Sequence, residues 1–342
     1  MPSPWLRRAV AVIVTAFLLS AAGSLAAQQA PGRYLFSYFT GNGEDGLHFA
    51  ASSDGLTWTP LKDRASFLQP AVGSRLMRDP CIVQGPDGTF HMVWTTGWWD
   101  AGIGLAHSRD LISWSEQQWL PVMKHEPTAL NAWAPEMFYD EGAQEYLIFW
   151  ASTIPARFPQ TEESGDTRED QKKLNHRIYF VTTKDFVTYS PTSLFYDGGF
   201  NVIDATIVRA GAEFVMIVKD ETKRPVAKKH LRVTRASRAK GPYAPASPPI
   251  SADWVEGPTI LKVDENWILY YDEYTRQRYG AMRSKDLREW TVISDQVRFP
   301  AGMRHGTAFA AGEAVIRAAT GRTNALNGSA FGPGWLHRDR PW

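Results

Sequence analysis

The chain has 342 residues, a formal net charge of +1 and 13% aromatic residues, with 14 Trp, 22 Pro and 27 Gly. This near-neutral balance leaves no charge-driven case for nucleic acid or an acidic membrane surface as partner. Dense Pro and Gly punctuation argues against long helices and for one all-β domain of short strands, and the single Cys, Cys81, excludes an intramolecular disulfide.

The first residues read as an export signal. Arg7 and Arg8 precede an apolar run over 9–19, and small residues follow to Ser24-Leu25-Ala26-Ala27, where cleavage after Ala26 or Ala27 fits the small-x-small pattern. The run is short for a membrane span of about 20 residues. Residues 1–27 are therefore expected to be a signal peptide, and the protein to be secreted or periplasmic, monomeric, and free of the membrane once the signal is gone. A catalytic domain over 28–320 and a Gly-, Asn- and Arg-rich tail over 321–342 complete the expected organisation.

Segments that resemble one another then recur along the mature chain. Five heads each put an ionisable residue before a short apolar run: Arg78-Asp79-Pro80, Trp133-Ala134-Pro135-Glu136, Ile203-Asp204-Ala205-Thr206, Glu256-Gly257-Pro258-Thr259 and Arg304-His305-Gly306-Thr307. Behind the first, residues 80–83, 89–94, 103–108 and 114–122 read as four strands joined by turns. An outer-turn signature, Ser108-Arg109-Asp110-Leu111-Ile112-Ser113-Trp114, returns around Asp54, Asp185 and Asp286, with a degenerate copy ending at Tyr243. Ser or Thr and Asp cap such a turn, and the aromatic anchors the outermost strand. The pattern predicts a five-bladed β-propeller with four antiparallel strands per blade. Residues 34–61 lack a head and the last head lacks a blade, so both termini should close one blade, with 314–319 as a competing extra strand. Residues 155–177 read as a solvated loop, and the basic stretch 219–240 as a solvated hairpin.

In a propeller the first strands line the axis, so Asp79, Asp204 and Glu256 should share one funnel with Glu136 and His305. Paired carboxylates across a sugar ring suit glycoside hydrolysis, one protonating the leaving oxygen and one activating water. A third carboxylate beside the acid raises its pKa, so Asp204 is expected to keep Glu256 protonated near neutral pH. Trp133 and one of Trp98 or Trp99 should stack on sugar.

The ordered set of heads, over 34–311, resembles glycoside hydrolase family 43, five-bladed propellers that include α-L-arabinofuranosidases, β-xylosidases and arabinanases. The resemblance implies Asp79 as general base, Asp204 as pKa-modulating residue and Glu256 as general acid. It implies substrate contacts from Trp133, Glu136, Trp98, Arg304 and His305, and no required cofactor. In some members a His at the position of His305 helps hold a central calcium or its waters; hydrogen bonds alone are the other reading of this residue. Two departures from the family pattern are Glu136, where Asp is usual, and the blade's worth of chain before Asp79. The implied activity is an inverting, exo-acting hydrolase of arabinose- or xylose-containing glycans. Alternatives are related enzymes on galactosides, fructosides or mannosides, a phosphorylase using Arg78 and Arg304, and a propeller that binds glycans without cleaving them.

Overall fold

The computed structural model describes residues 33–167 and 173–320; the expected signal peptide and C-terminal tail lie outside the described residues. Strands β1 (Arg33–Phe39), β2 (His48–Ser52) and β3 (Thr59–Pro60) begin a sheet whose fourth strand arrives at the far end of the described chain. Blade 1 is β4 (Arg78–Gln84), β5 (Phe90–Thr95), β6 (Ile103–Ser108) and β7 (Gln118–Leu120). Strands β8 (Trp133–Asp140) and β9 (Glu145–Thr153) open blade 2. A small ladder of β10 (Asp166–Thr167) and β11 (Lys173–Leu174) interrupts it before β12 (His176–Thr183) and β13 (Ser193–Tyr196).

Blade 3 has β14 (Val202–Ala210), β15 (Glu213–Asp220) and β16 (His230–Ala236), and blade 4 has β17 (Glu256–Val263), β18 (Asn266–Glu273), β19 (Arg278–Ser284) and β20 (Thr291–Val292). Strand β21 (Arg304–Ala311) then pairs antiparallel with β1, closing blade 5 with both ends of the described chain. Successive strands of every blade pair antiparallel, as short connections require.

Both faces of these sheets are buried, so the strands carry apolar residues at odd and even positions alike. In β1, Tyr34, Phe36 and Tyr38 face blade 4, while Leu35 packs with blade 1. Five apolar clusters result, each between two neighbouring blades, and together they leave no open interface around the ring. A ring without a free first or last sheet removes the edge that would otherwise invite aggregation.

The outer-turn signature has one geometry in four copies. Ser108 Oγ accepts from the Leu111 amide (2.8 Å), and Asp110 Oδ1 accepts from the amides of Ile112 (2.8 Å) and Ser113 (2.7 Å). The same bonds form at Ser52 and Asp54, at Thr183 and Asp185, and at Ser284 and Asp286. The fourth residue of the turn takes a left-handed φ in each: 63° at Leu111, 56° at Phe186, 60° at Leu287 and 70° at Gly55. Only in the last copy does glycine relieve that cost, and there a Cβ would also meet Val263 Cγ2 at 2.8 Å.

The structure corrects four expectations. Blade 3 has three strands, because Pro242, Pro245, Pro248 and Pro249 break the ladder where a fourth would lie; Ala244, Ser247 and Ile250 still donate to the carbonyls of β16. Residues 314–319 form a helix, α1 (Glu313–Ala319), with Ile316 buried against blades 5 and 1. The excursion after residue 155 is tied down: Arg177 is fully buried in β12 and bonds Thr161, Asn175, the His176 carbonyl and Asp197, with Phe158 against its guanidinium. The stretch 219–240 is no solvated hairpin, since Lys219, Lys229 and His230 are all buried.

Candidate active site

The heads owe their shape to β-bulges. Register runs Arg78 opposite Thr95, then skips to Cys81 opposite Val93; equivalent breaks separate Trp133 from Glu136, Ile203 from Thr206, and Glu256 from Thr259. The residue after each break is left-handed, with φ of 52° at Asp79, 44° at Ala134, 50° at Asp204 and 58° at Gly257. A bulge re-aims side chains at a strand end, and here it turns them onto the axis. In blade 5 the break falls between Arg304 and Thr307.

Counting from the bulges sorts the heads into three rings around the axis. The upper ring is Arg78, Trp133, Ile203, Glu256 and Arg304; the middle is Asp79, Ala134, Asp204, Gly257 and His305; the lower is Cys81, Glu136, Thr206, Thr259 and Thr307. Glu136 is thus two positions deeper than Trp133. It accepts from Thr206 Oγ1 (3.4 Å) and Cys81 Sγ (3.6 Å), and burial pushes its pKa up to about 8. It does not line the cavity above, so the expected substrate contact is corrected to a protonated group beneath the site.

That cavity, of about 300 Å³, is lined by Asp79, Asp204, Glu256, Arg304 and His305, with Arg78, Asn42, Trp98 and Trp133 on one side and Glu221 and Tyr274 on the other. Its size is at the small end for ligand cavities and suits a single sugar ring. Trp133 donates to the Trp98 carbonyl (2.8 Å), and the two indoles meet edge to face at 5.5 Å. Trp99 packs on Trp133 from outside the cavity lining.

Residues on the second strand of one blade reach the head of the next. Thr95 Oγ1 donates to Asp79 Oδ2 and accepts from the Ala134 amide, both at 2.8 Å. Lys219 Nζ lies 3.1 Å from Glu256 Oε2, and Asp272 Oδ2 accepts from Arg304 Nε at 2.6 Å. Arg304 also bonds Glu256 Oε1 at 2.8 Å, so Glu256 is gripped by a cation on each oxygen. A chain of alternating charge continues outward through Glu221 (2.8 Å from Lys219) to Lys229.

These contacts set the charge states. Burial would raise the Asp79 pKa, but the hydrogen bond and charge of His305, with Arg78 and Thr95, bring it down to about 2. Burial would lower His305; Asp79, with Nδ1 3.3 Å from Oδ1, raises it to about 9. For Asp204, burial dominates and Glu256 and Asp79 add to it, giving about 6 against the pull of His305 and Lys219; Oδ2 accepts from the Gly257 amide at 3.0 Å. Glu256 goes the other way, because Lys219 and Arg304 outweigh its burial. The structure therefore corrects the expectation that Glu256 is the carboxyl held protonated near neutral pH: that state belongs to Glu136, while Asp204 takes up its proton only below about pH 6. Glycine is needed at 257 on two counts, its φ and a Cβ that would lie 2.4 Å from His305 Cγ.

His305 does not fit a calcium neighbour. Its Nδ1 is engaged by Asp79, its ring is packed against Gly257, and calcium takes six or more oxygens. Among the described residues no group of three or more His, Cys, Asp or Glu is placed to hold a metal ion.

The sequence reading missed Lys219, Glu221, Asp272, Tyr274, Thr95 and Asn42. A signal existed for three of them: Thr95, Lys219 and Asp272 hold the same position on their second strands, opposite a bulge.

A family model described as a probable glycosyl hydrolase domain, of the glycoside hydrolase 43-related type, matches residues 30–314. An α-L-arabinofuranosidase of Bifidobacterium longum is 22% identical over 227 residues, covering 60% of this chain but only 20% of that protein. This chain thus spans about a fifth of the length of that relative. Among solved structures, a family 43 β-1,3-galactosidase superposes with a TM-score of 0.56 at 12% identity, over 76% of this chain and 56% of that one. An exo-β-1,3-galactanase from Phanerochaete chrysosporium does so with 0.50 at 13%, over 66% and 52%. Those identities speak to fold alone, and fold does not fix substrate. The family model spans every head and every blade, and the chain belongs to the glycoside hydrolase family 43-related propellers.

Proposed function

We propose that the protein is an inverting, exo-acting glycosidase that removes terminal sugars from arabinose- or xylose-containing glycans. The observation that carries this reading is the charge arrangement in one ring-sized cavity: an ionised Asp79 and a Glu256 that shares its surroundings with Asp204. Asp79, fixed by Thr95 and His305, accepts the proton of a water as its oxygen attacks the anomeric carbon. The bond from that carbon to the leaving oxygen breaks, and the leaving oxygen takes the proton of Glu256. Asp204 sits beside the acid and is tied to its backbone through Gly257, while Glu221 is the carboxylate that disfavours its ionised form. Because Lys219 and Arg304 outweigh burial and Glu221, Glu256 carries its proton only below the ordinary carboxylate range, and the activity belongs on the acidic side.

Trp98 and Trp133 supply the aromatic wall for the sugar, and Arg304 and His305 its polar neighbours. The small cavity supports action at chain ends. The similarity to an α-L-arabinofuranosidase supports the pentose assignment; galactosides are the next class to test, given the galactan-cleaving neighbours. The reading includes export through the N-terminal signal, action as a monomeric 28–320 domain outside the cytoplasm, and no required cofactor.

One observation favours a second reading. An acid gripped by two cations is a good anchor and a poor proton donor, which is what a glycan-binding propeller without turnover would show. Nitrophenyl α-L-arabinofuranoside, β-D-xyloside and β-D-galactoside, assayed from pH 4 to 8 with and without phosphate, separate the cases. Release from a pentoside without phosphate supports the first reading, dependence on phosphate would mean phosphorolysis, and binding without release would leave the second.

A further inference from the structure

Each cation of the site but one has a carboxylate partner. Arg304 bonds Asp272 and Glu256, Lys219 pairs with Glu221 and Glu256, Lys229 with Glu221, and His305 with Asp79. Arg78 forms no ion pair with any described residue. Its guanidinium is half-buried and held flat, 4.3 Å from the Trp98 ring and 4.7 Å from the Phe39 ring. Nη1 donates to Asn42 Oδ1 at 3.0 Å, and Asn42 Oδ1 is itself fixed by the Trp98 indole N–H at 3.0 Å. Nε and Nη2 donate to no described residue, and Arg78 lines the cavity. Asp79, next in sequence, feels this charge, but Thr95 and His305 already hold its two oxygens.

A preorganised guanidinium fork beside a cavity, with its counter-charge missing, suits a planar anion that can accept two parallel N–H bonds. The surrounding charge agrees. On the acidic side of pH 6, Asp204 and Asp272 take up protons, leaving Asp79, Glu221 and Glu256 to face Arg78, Lys219, Lys229, Arg304 and His305. The site is then cationic.

We propose that the glycan entering this cavity carries a carboxylate, as a uronic acid unit does, and that Arg78 is the residue that binds it. This keeps the glycosidase reading but puts a uronic acid in place of the pentose in the ring-sized cavity, and rests on that reading only for the ligand being a sugar. A uronic acid is a planar carboxylate on a pyranose ring, so one ligand satisfies the fork, the tryptophan wall and the cavity volume together. Neutral hydroxyls would satisfy the donors but leave the charge unanswered.

The test is calorimetric titration of the whole protein at about pH 5 with D-glucuronate and D-galacturonate, each against its neutral parent, and with L-arabinose, D-xylose and inorganic phosphate. At least one uronate should bind its site roughly 10-fold or more tighter than its parent, the scale of one charge-assisted pair. Arg78→Gln should bring the two within about two-fold, while Arg78→Lys, which keeps the charge and loses the fork, should fall between. Equal binding of uronate and parent by the unmodified protein, or phosphate binding without uronate binding, would overturn the assignment. So would an Arg78→Lys protein that binds both as tightly as before, and this variant remains decisive if Arg78→Gln fails to fold. Binding is read without turnover. Uronate binding with no glycoside cleaved would therefore sink the hydrolytic reading alone, and cleavage of neutral glycosides without uronate binding would sink this one alone.

Discussion

Replacing Lys219 by Met should move the alkaline limb of the pH profile to higher pH. The limb of kcat/KM on that side reports the acid that must be protonated, here Glu256. Lys219 Nζ is 3.1 Å from Glu256 Oε2, with side chains only 2% and 21% exposed, so solvent screens the pair little. At an effective dielectric near 20, charges about 4 Å apart attract by roughly 4 kcal/mol. Lys219 divides its charge with Glu221 and Arg304 stays in place, so about half of that is at stake, or ~1.5 pH units. The other groups that act on Glu256 are Asp204, Asp272, His305 and Tyr274, and none is altered. Glu221→Gln gives the opposite sign, because it removes a carboxylate that raises the Glu256 pKa and frees Lys219 for Glu256 alone. Initial rates on a nitrophenyl glycoside across pH 4–9 read both shifts. Damage to folding cannot move one limb up and the other down. A limb unmoved in Lys219→Met, or displaced the same way in both variants, would refute the electrostatic argument.

Asp79→Ala should abolish turnover on every substrate, whereas Glu256→Gln should spare activated aryl glycosides more than natural ones; equal losses on both would remove Glu256 as acid. Proton NMR of the first-formed sugar should show the inverted anomer, and a retained one would mean a covalent intermediate. The Asp79–His305 pair should stabilise the fold fully only between about pH 4 and 6.5. Its contribution fades as pH falls through the Asp79 pKa of about 2 and as it rises through the His305 pKa of about 9. Thermal melts of His305→Gln should therefore lose an alkaline slope worth no more than ~3 kcal/mol, and an unchanged slope would show the imidazole to be neutral in the fold. Gly257→Ala should destabilise by about 2–4 kcal/mol in urea, from the left-handed φ and the clash with His305 together.

Blade number, ring closure and the outer turns were legible in the sequence because each rests on local chemistry that repeats. Ser, Asp and an aromatic at fixed offsets mean one turn wherever they occur. The heads were legible only as a set. Asp79, Glu136, Asp204 and Glu256 look aligned in sequence, yet the bulge falls at one offset from Asp79 and Asp204 and at others from Glu136 and Glu256, which puts Glu136 beneath the site and Glu256 in the upper ring. A bulge is a property of two strands, and one strand's sequence does not show it. Lys219 was misread for a related reason: in isolation a Lys among charged neighbours is a solvated surface, and only the adjacent blade supplies Glu256, the carboxylate that joins Glu221 in allowing its burial. Helix α1 was misread because Ala-rich apolar residues fit a short strand or a short helix equally well.

Closure of the ring has a kinetic consequence. Ser37 and Thr307 meet across 270 residues of intervening chain, and the strand that makes this contact also brings Arg304 and His305. A ribosome releases β1 early and β21 late, so blade 5 must wait for nearly the whole described chain before it gains its innermost strand. During that interval Asp272 lacks Arg304, Asp79 lacks His305 and Glu256 has Lys219 alone, so the half-built axis is better hydrated than closed. Contacts this distant in sequence form slowly. The docking of β21 should therefore finish the propeller and complete the site in one step.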